Sequence, residues 1–183
     1  MTPPIERATI IGDGAMGTVS ALILASKGIP VTLWSLFPEQ SADIQAHREN
    51  RRFLPGHRFP DNLVATSDAE AAFAGAELVV NAVPAQFIRG VWEKLADHCP
   101  PGARIVSVTK GIEVGTLLRP TQIIAELVGT PTLAVLSGPS IAPEVADGKP
   151  ATVVIASQDL AFADLAQAAF NTNHFRVYTN SDL

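Results

Sequence analysis

The stretch "ATIIGDGAMGTVSALILASKG", Ala8 to Gly28, runs an apolar segment into three glycines, Gly12, Gly14 and Gly17, and then into a segment of helical spacing. The glycines match G-x-G-x-x-G, a weak pattern alone and a specific one where it follows a strand and opens a helix. Ala8–Ile11 reads as that strand. The helix behind it has an apolar face of Val19, Leu22 and Ile23, with Gly28 placed to end it. In this setting Gly12 permits the tight turn, and Gly14 lets backbone N–H groups approach a pyrophosphate with no Cβ in the way. Gly17 lets the helix pack closely on the strand. The helix N-terminus offers unpaired N–H donors and a partial positive charge, so a phosphate needs no basic side chain there. Asp13 sets a carboxylate in the middle of the turn. Pointing outward it favours the helix start; pointing inward it competes with the ligand.

The same alternation continues along the chain. Val31–Trp34 reads as a second strand, and Pro38 to about His47 as a short helix. An irregular stretch, "ENRRFLPGHRFPDN", leads to a third strand at Leu63–Ala65, after which Ser67 is placed as the N-cap of an alanine-rich helix. "ELVVNAV", Glu77–Val83, reads as a buried strand with Pro84 where a first helical turn starts. Ile105–Thr109, Leu133–Leu136, Thr152–Ala156 and Phe175–Tyr178 are further strands, with helices over Arg119–Val128 and Asp159–Phe170. Strands that are apolar throughout suit a sheet covered on both faces. Repeated strand–helix alternation gives the fold class: α/β, a doubly wound, mostly parallel sheet of the Rossmann type, as one dinucleotide-binding domain over residues 1–183.

Composition agrees with that and removes other classes. Apolar residues are 47% and charged residues 17% of the 183, which suits a compact buried core. A net charge of −5 provides no basic footprint for nucleic acid. No apolar run approaches the ~20 residues that span a bilayer. "MTPPIERATIIG" has neither the basic nor the long apolar region of a signal peptide, so a soluble cytoplasmic protein is expected. One cysteine, Cys99, builds no disulfide framework and reads as a loop residue beside Pro100 and Pro101. His47, His57, His98 and His174 stand at no metal or catalytic spacing and read as structural or exposed.

The choice between NAD and NADP stays open at this level. NAD-binding domains place an Asp or Glu about 20 residues on, at the end of the second strand, for the ribose hydroxyls. Here the region is "LWSLFPEQ", in which Leu36 and Phe37 accept nothing and Glu39 comes late. Arg48, Arg51 and Arg52 could reach a 2′-phosphate bidentately, or be solvated loop charges.

Three further stretches complete a set: "NRRFLPG" at Asn50–Gly56, "VTKGIE" at Val108–Glu113 and "SGPSIAPEVADGKPATVVIAS" at Ser137–Ser157. With the glycine loop, in this order and spacing, they make the chain resemble the N-terminal domain of NAD(P)-dependent glycerol-3-phosphate dehydrogenase, from about Arg7 onward. The family interconverts dihydroxyacetone phosphate and sn-glycerol 3-phosphate, usually for phospholipid synthesis in bacteria. The resemblance implies that Gly12, Gly14, Ala15, Met16 and Gly17 contact the cofactor, NAD or NADP, and that Phe53, where Tyr is frequent, lies near it. It implies that Lys110 touches both cofactor and substrate, Gly138 and Ser140 the substrate, and Ala142 the cofactor. Leu36 departs from a polar or basic cofactor contact, and Ile141 from a frequent Phe.

Independently of the resemblance, Lys110 follows a strand at the carboxyl edge where open α/β sheets bind ligands. Gly138 and Ser140 follow another, where Ser140 starts the next helix and its free N–H groups suit an anion. Asn81 and Pro84 end a strand where a nicotinamide ribose could pass. Ketone reduction also requires a proton donor, and a phosphate dianion requires cations or donors. The resemblance places a lysine general base and an Arg–Asn phosphate site on a C-terminal helical domain, so no catalytic acid–base residue is expected here. A hydroxyacid- or ketopantoate-type reductase and a stand-alone nucleotide-binding module are the competing functions.

Overall fold

The computed structural model of the protein describes residues 5–183, so the first four residues of the N-terminal stretch lie outside it. The chain forms β1 (Ala8–Ile11), α1 (Ala15–Ser26), β2 (Val31–Trp34), α2 (Pro38–His47), β3 (Leu63–Thr66), α3 (Ala69–Phe73), β4 (Leu78–Asn81) and α4 (Ile88–Leu95). After these come β5 (Arg104–Ser107), α5 (Pro120–Val128), β6 (Thr132–Ser137), α6 (Ala142–Ala146), β7 (Ala151–Ala156), α7 (Leu160–Phe170) and β8 (Phe175–Asn180). The strands make one sheet in the order β3-β2-β1-β4-β5-β6-β7-β8, parallel throughout except between β6 and β7.

Alternate side chains of each strand point to opposite faces, and both faces are apolar near β1. Ile10, Leu33, Leu78, Val80 and Val106 pack with α1, α2, α6 and α7, while Ile11, Trp34, Val79 and Ile105 pack with α3, α4 and α5. The second cluster closes on Trp92, whose ring lies 6.4 Å from Phe73. Helix α1 ends where expected. Gly28 takes φ +82° and its N–H donates to Ala25, while the N–H of Ile29 donates to Leu24, a Schellman ending.

Several boundaries differ from the sequence expectation. Ser67 does not cap α3; Asp68 does, accepting from the Ala71 N–H at 2.8 Å, and the Ser67 carbonyl accepts from Trp34 Nε1 instead. Pro84 precedes a 3₁₀ turn, Ala85–Phe87, and α4 begins only at Ile88. Ser140 does not open a helix: Ile141 is the N-cap of α6, a helix of five residues. Cys99 closes a second 3₁₀ turn, Ala96–His98, and is buried; burial pushes its thiol up to about 11. The strand β7 runs opposite to β6, so the segment between them, which contains only the five-residue α6, begins and ends at the carboxyl edge of β6. No helix among the described residues is long and apolar enough to cross a membrane.

Candidate functional site

The sheet order reverses at β1, which pairs with β2 on one side and β4 on the other. Open α/β sheets bind ligands outside the carboxyl ends of the strands at that point. The three glycines stand there for different reasons. Gly12 has φ +107°, and a Cβ on it would lie 3.0 Å from the Ala82 backbone. A Cβ on Gly17 would lie 1.9 Å from the Gly12 carbonyl oxygen. Both glycines are therefore required by the protein's own packing. Gly14 is not. Its φ of −62° and ψ of 174° suit any residue, and a Cβ there would meet nothing within 4 Å. It is the N-cap of α1, and no side chain caps that helix, whereas Asp68 and Asp159 cap α3 and α7. The first-turn amides, beginning at the half-buried Ala15 and Met16, thus face an uncovered edge. Those features fit a pyrophosphate.

The neighbouring loop is fastened to this one by a residue that motif spacing left without a role of its own. Asn50 is fully buried. Its Nδ2 donates to the Asp13 carbonyl and to Thr18 Oγ1, both at 2.7 Å, and its Oδ1 accepts from the Phe53 N–H at 3.1 Å. Phe53, 40% exposed, is thereby held beside the glycine loop with the Arg52 guanidinium 4.9 Å from its ring centre. The three arginines separate. Arg48 donates to the Pro60 carbonyl and Arg51 pairs with Asp43, whose carboxyl it holds below the usual range; only Arg52 acts on Asp13. Asp13 takes neither expected direction. Its Oδ2 accepts from Ser35 Oγ at 3.0 Å, just past the last residue of β2.

Lys110 is exposed two residues beyond Val108, past the end of β5. The loop around it is strapped from both sides. Thr109 Oγ1 donates to the Val83 carbonyl at 2.7 Å, joining it to the loop after β4. Gln86 donates to the Ile112 carbonyl and accepts from the Val114 N–H, at 2.8 and 2.9 Å. Arg89 reaches both oxygens of the buried Glu113 at 2.9 Å, and Thr116 donates to the same carboxylate. That ion pair lowers the Glu113 carboxyl below its ordinary value, Arg89 being the main cause, and raises Arg89. Asn81 is not available to a ribose: buried, it donates to Ser107 and Thr109 and accepts from Trp92 Nε1.

On the next strand, a Cβ on Gly138 would lie 2.8 Å from the Thr152 carbonyl oxygen, so this glycine lets β6 leave past the start of β7. Ser140 is half-buried and Ala142 begins α6; both stay at the same edge as Lys110. Ile141 is 62% exposed. A cleft of about 550 Å³ lies elsewhere, between Leu22, Pro60 and Val145, and touches neither the glycine loop nor Lys110. His47 sits beside Asp43, and His57 beside Asp147. Ser35, Asn50, Gln86 and Arg89 are the site-building residues that pattern reading missed. Ser35 directly follows a strand and Asn50 opens the NRRFLPG stretch, but their partners lie 22 and 37 residues away.

Residues 7–163 match the family model described as NAD-dependent glycerol-3-phosphate dehydrogenase N-terminus. The chain is 44% identical over 176 residues to a Mycobacterium tuberculosis protein named glycerol-3-phosphate dehydrogenase [NAD(P)+] 2, covering 95% of this chain and 53% of that protein. A glycerol-3-phosphate dehydrogenase [NAD(P)+] of Syntrophomonas wolfei is 42% identical, with coverage of 98% and 53%. A solved glycerol-3-phosphate dehydrogenase from Coxiella burnetii superposes with a TM-score of 0.93 at 34% identity, covering 99% of this chain and 55% of that one. The chain spans about half the length of the curated relatives it matches. With its glycine loop, its strapped lysine loop and its Ser137–Ser140 turn on one sheet edge, the chain belongs to the NAD-dependent glycerol-3-phosphate dehydrogenase family, of which it matches the N-terminal part.

Proposed function

We propose that this chain binds NAD(H) or NADP(H) across the carboxyl edge of β1, β2 and β4, as the cofactor-binding half of an enzyme interconverting dihydroxyacetone phosphate and sn-glycerol 3-phosphate. The product serves glycerophospholipid synthesis, and the setting is cytoplasmic. One observation carries the reading: Gly14 has no packing reason to be glycine, while Gly12 and Gly17 do. A dinucleotide lying against the α1 amides supplies that reason. Held there, the nicotinamide cofactor would supply the hydride chemistry. Around it, Gly14, Ala15 and Met16 present the amide edge, Phe53 closes the ribose side, and Lys110 offers a compact ammonium to a substrate oxygen. Gly138 and Ser140 provide the adjoining backbone wall, with Ala142 on the cofactor side. The straps from Gln86 and Arg89 fix the Lys110 loop, which orientation-dependent chemistry requires.

Relatives nearly twice as long support placing the acid–base lysine and the phosphate clamp outside these 183 residues. The test is steady-state NADH oxidation by the purified chain with dihydroxyacetone phosphate. Cofactor binding with background turnover is expected. Without the opposite wall the reacting carbons are not held at ~3–3.5 Å and the proximity gain is lost. Substrate-dependent turnover well above background would place the acid–base group within this chain. Failure to bind either nicotinamide cofactor would reject the reading altogether.

A further inference from the structure

We propose that Asp13 selects the cofactor: its carboxylate, held at the end of β2, accepts the 2′-hydroxyl of the adenosine ribose and excludes a 2′-phosphate, so that the site takes NAD(H) over NADP(H). This rests on the dinucleotide reading above and goes beyond it by naming which dinucleotide.

The end of β2 carries no acidic side chain of its own: Trp34 is followed by Ser35, Leu36 and Phe37. Dinucleotide-binding domains that take NAD usually need a carboxylate at that place, about 20 residues past the glycine loop. In this fold the carboxylate arrives there from the glycine loop itself. Asp13 Oδ2 lies 3.0 Å from Ser35 Oγ. Ser35 is fully buried and its Oγ accepts from the Phe37 N–H at 3.3 Å, so its single proton is directed at Asp13. The backbone of Asp13 is fixed as well, since Asn50 Nδ2 donates to its carbonyl at 2.7 Å. The second carboxylate oxygen, Oδ1, accepts no hydrogen bond from another side chain among the described residues. It can accept from a ribose hydroxyl, whereas a phosphate in the same place would set like charges together.

The surrounding cations fit this division. Arg51 is held by Asp43 and Arg48 by the Pro60 carbonyl, which leaves Arg52 as the one guanidinium acting on Asp13. Burial pushes the Asp13 carboxyl above the ordinary aspartate range, and Ser35, its own amide and Arg52 act in the opposite sense. A carboxylate that is partly desolvated and opposed by a single arginine discriminates more strongly against a dianion than a solvated one does.

The test is calorimetric titration of this chain with NADH and with NADPH at pH 8, for the wild type, Asp13→Asn and Asp13→Ala, with melting curves run alongside. The wild type is expected to bind NADH at least tenfold more tightly than NADPH. Losing a hydrogen bond to a charged group should reduce that preference at least tenfold in both variants. The wild-type ratio involves no substitution, so it decides even where a variant folds poorly. Equal binding of both cofactors by the wild type, or a ratio unchanged in the variants, would overturn the role of Asp13 while leaving cofactor binding intact. A wild type that bound neither would overturn the dinucleotide reading and this inference together.

Discussion

The two halves of the sheet are built differently. In β1, β2 and β4 every residue is buried, because helices cover both faces. In β7 and β8 only alternate residues are buried: Val153, Ile155, Phe175 and Val177 face α7 and the core, while Val154 and Tyr178, paired in register, are 39% and 55% exposed. A parallel sheet buried on both faces needs continuous apolar strands, and a sheet with one free face needs alternation. The covered half is the one that holds the glycine loop, the Asn50 fastening and the end of β2. Rigid packing beneath these loops is what keeps the cradle open without a side chain to fill it.

The contrast can be tested by substitution, beginning in the covered half. Trp92→Ala removes a fully buried ring that also hydrogen-bonds Asn81 at 2.9 Å, and should cost about 3–5 kcal/mol in urea unfolding. Gly17→Ala forces a methyl to within 1.9 Å of a backbone oxygen and should cost about 1–3 kcal/mol or more, with the glycine loop displaced. At the join of the halves, the Arg89–Glu113 pair gives a pH signature. The folded Glu113 carboxyl lies below its unfolded value, so its contribution is complete above the ordinary glutamate range of about 4.3 and is lost as pH falls through the folded value. The melting-temperature difference between wild type and Glu113→Gln should therefore be full at pH 7 and shrink as acid is added below that range. A constant difference would show that the carboxylate's charge is irrelevant. On the bare face, Val154→Thr should change stability by no more than about 0.5 kcal/mol; a loss of several times that would mean the face is covered.

The same contrast explains what could be read in the sequence. "ATII", "VTLW" and "LVVN" are three-quarters apolar and fully buried, and burial on both faces makes strand type and position legible from such runs. "FRVYTN" alternates openly, but "ATVVIA" does not, and it conceals the exposure of Val154. Strand direction is not written in an apolar run, so the reversal at β7 was not legible there. Of the site, Gly12, Gly14 and Gly17 were legible because backbone geometry and spacing belong to one local segment. Ser35, Asn50 and Gln86 were not, since their hydrogen bonds join segments 22 to 37 residues apart, and a polar residue in a loop carries no mark of its partner. Asp13 was visible as an anomaly, but its direction depended on Ser35.

In the proposed cofactor site Gly14 is kept bare for a ligand and not for the fold. Gly14→Val sets its Cβ where the structure has open space and replaces a favoured N-cap residue, so urea unfolding should show a loss of no more than about 1 kcal/mol. Titrated calorimetrically with NADH, the wild-type chain should bind and this variant should show no measurable binding. A folded Gly14→Val protein that bound NADH with unchanged affinity would contradict the assignment of the glycine loop.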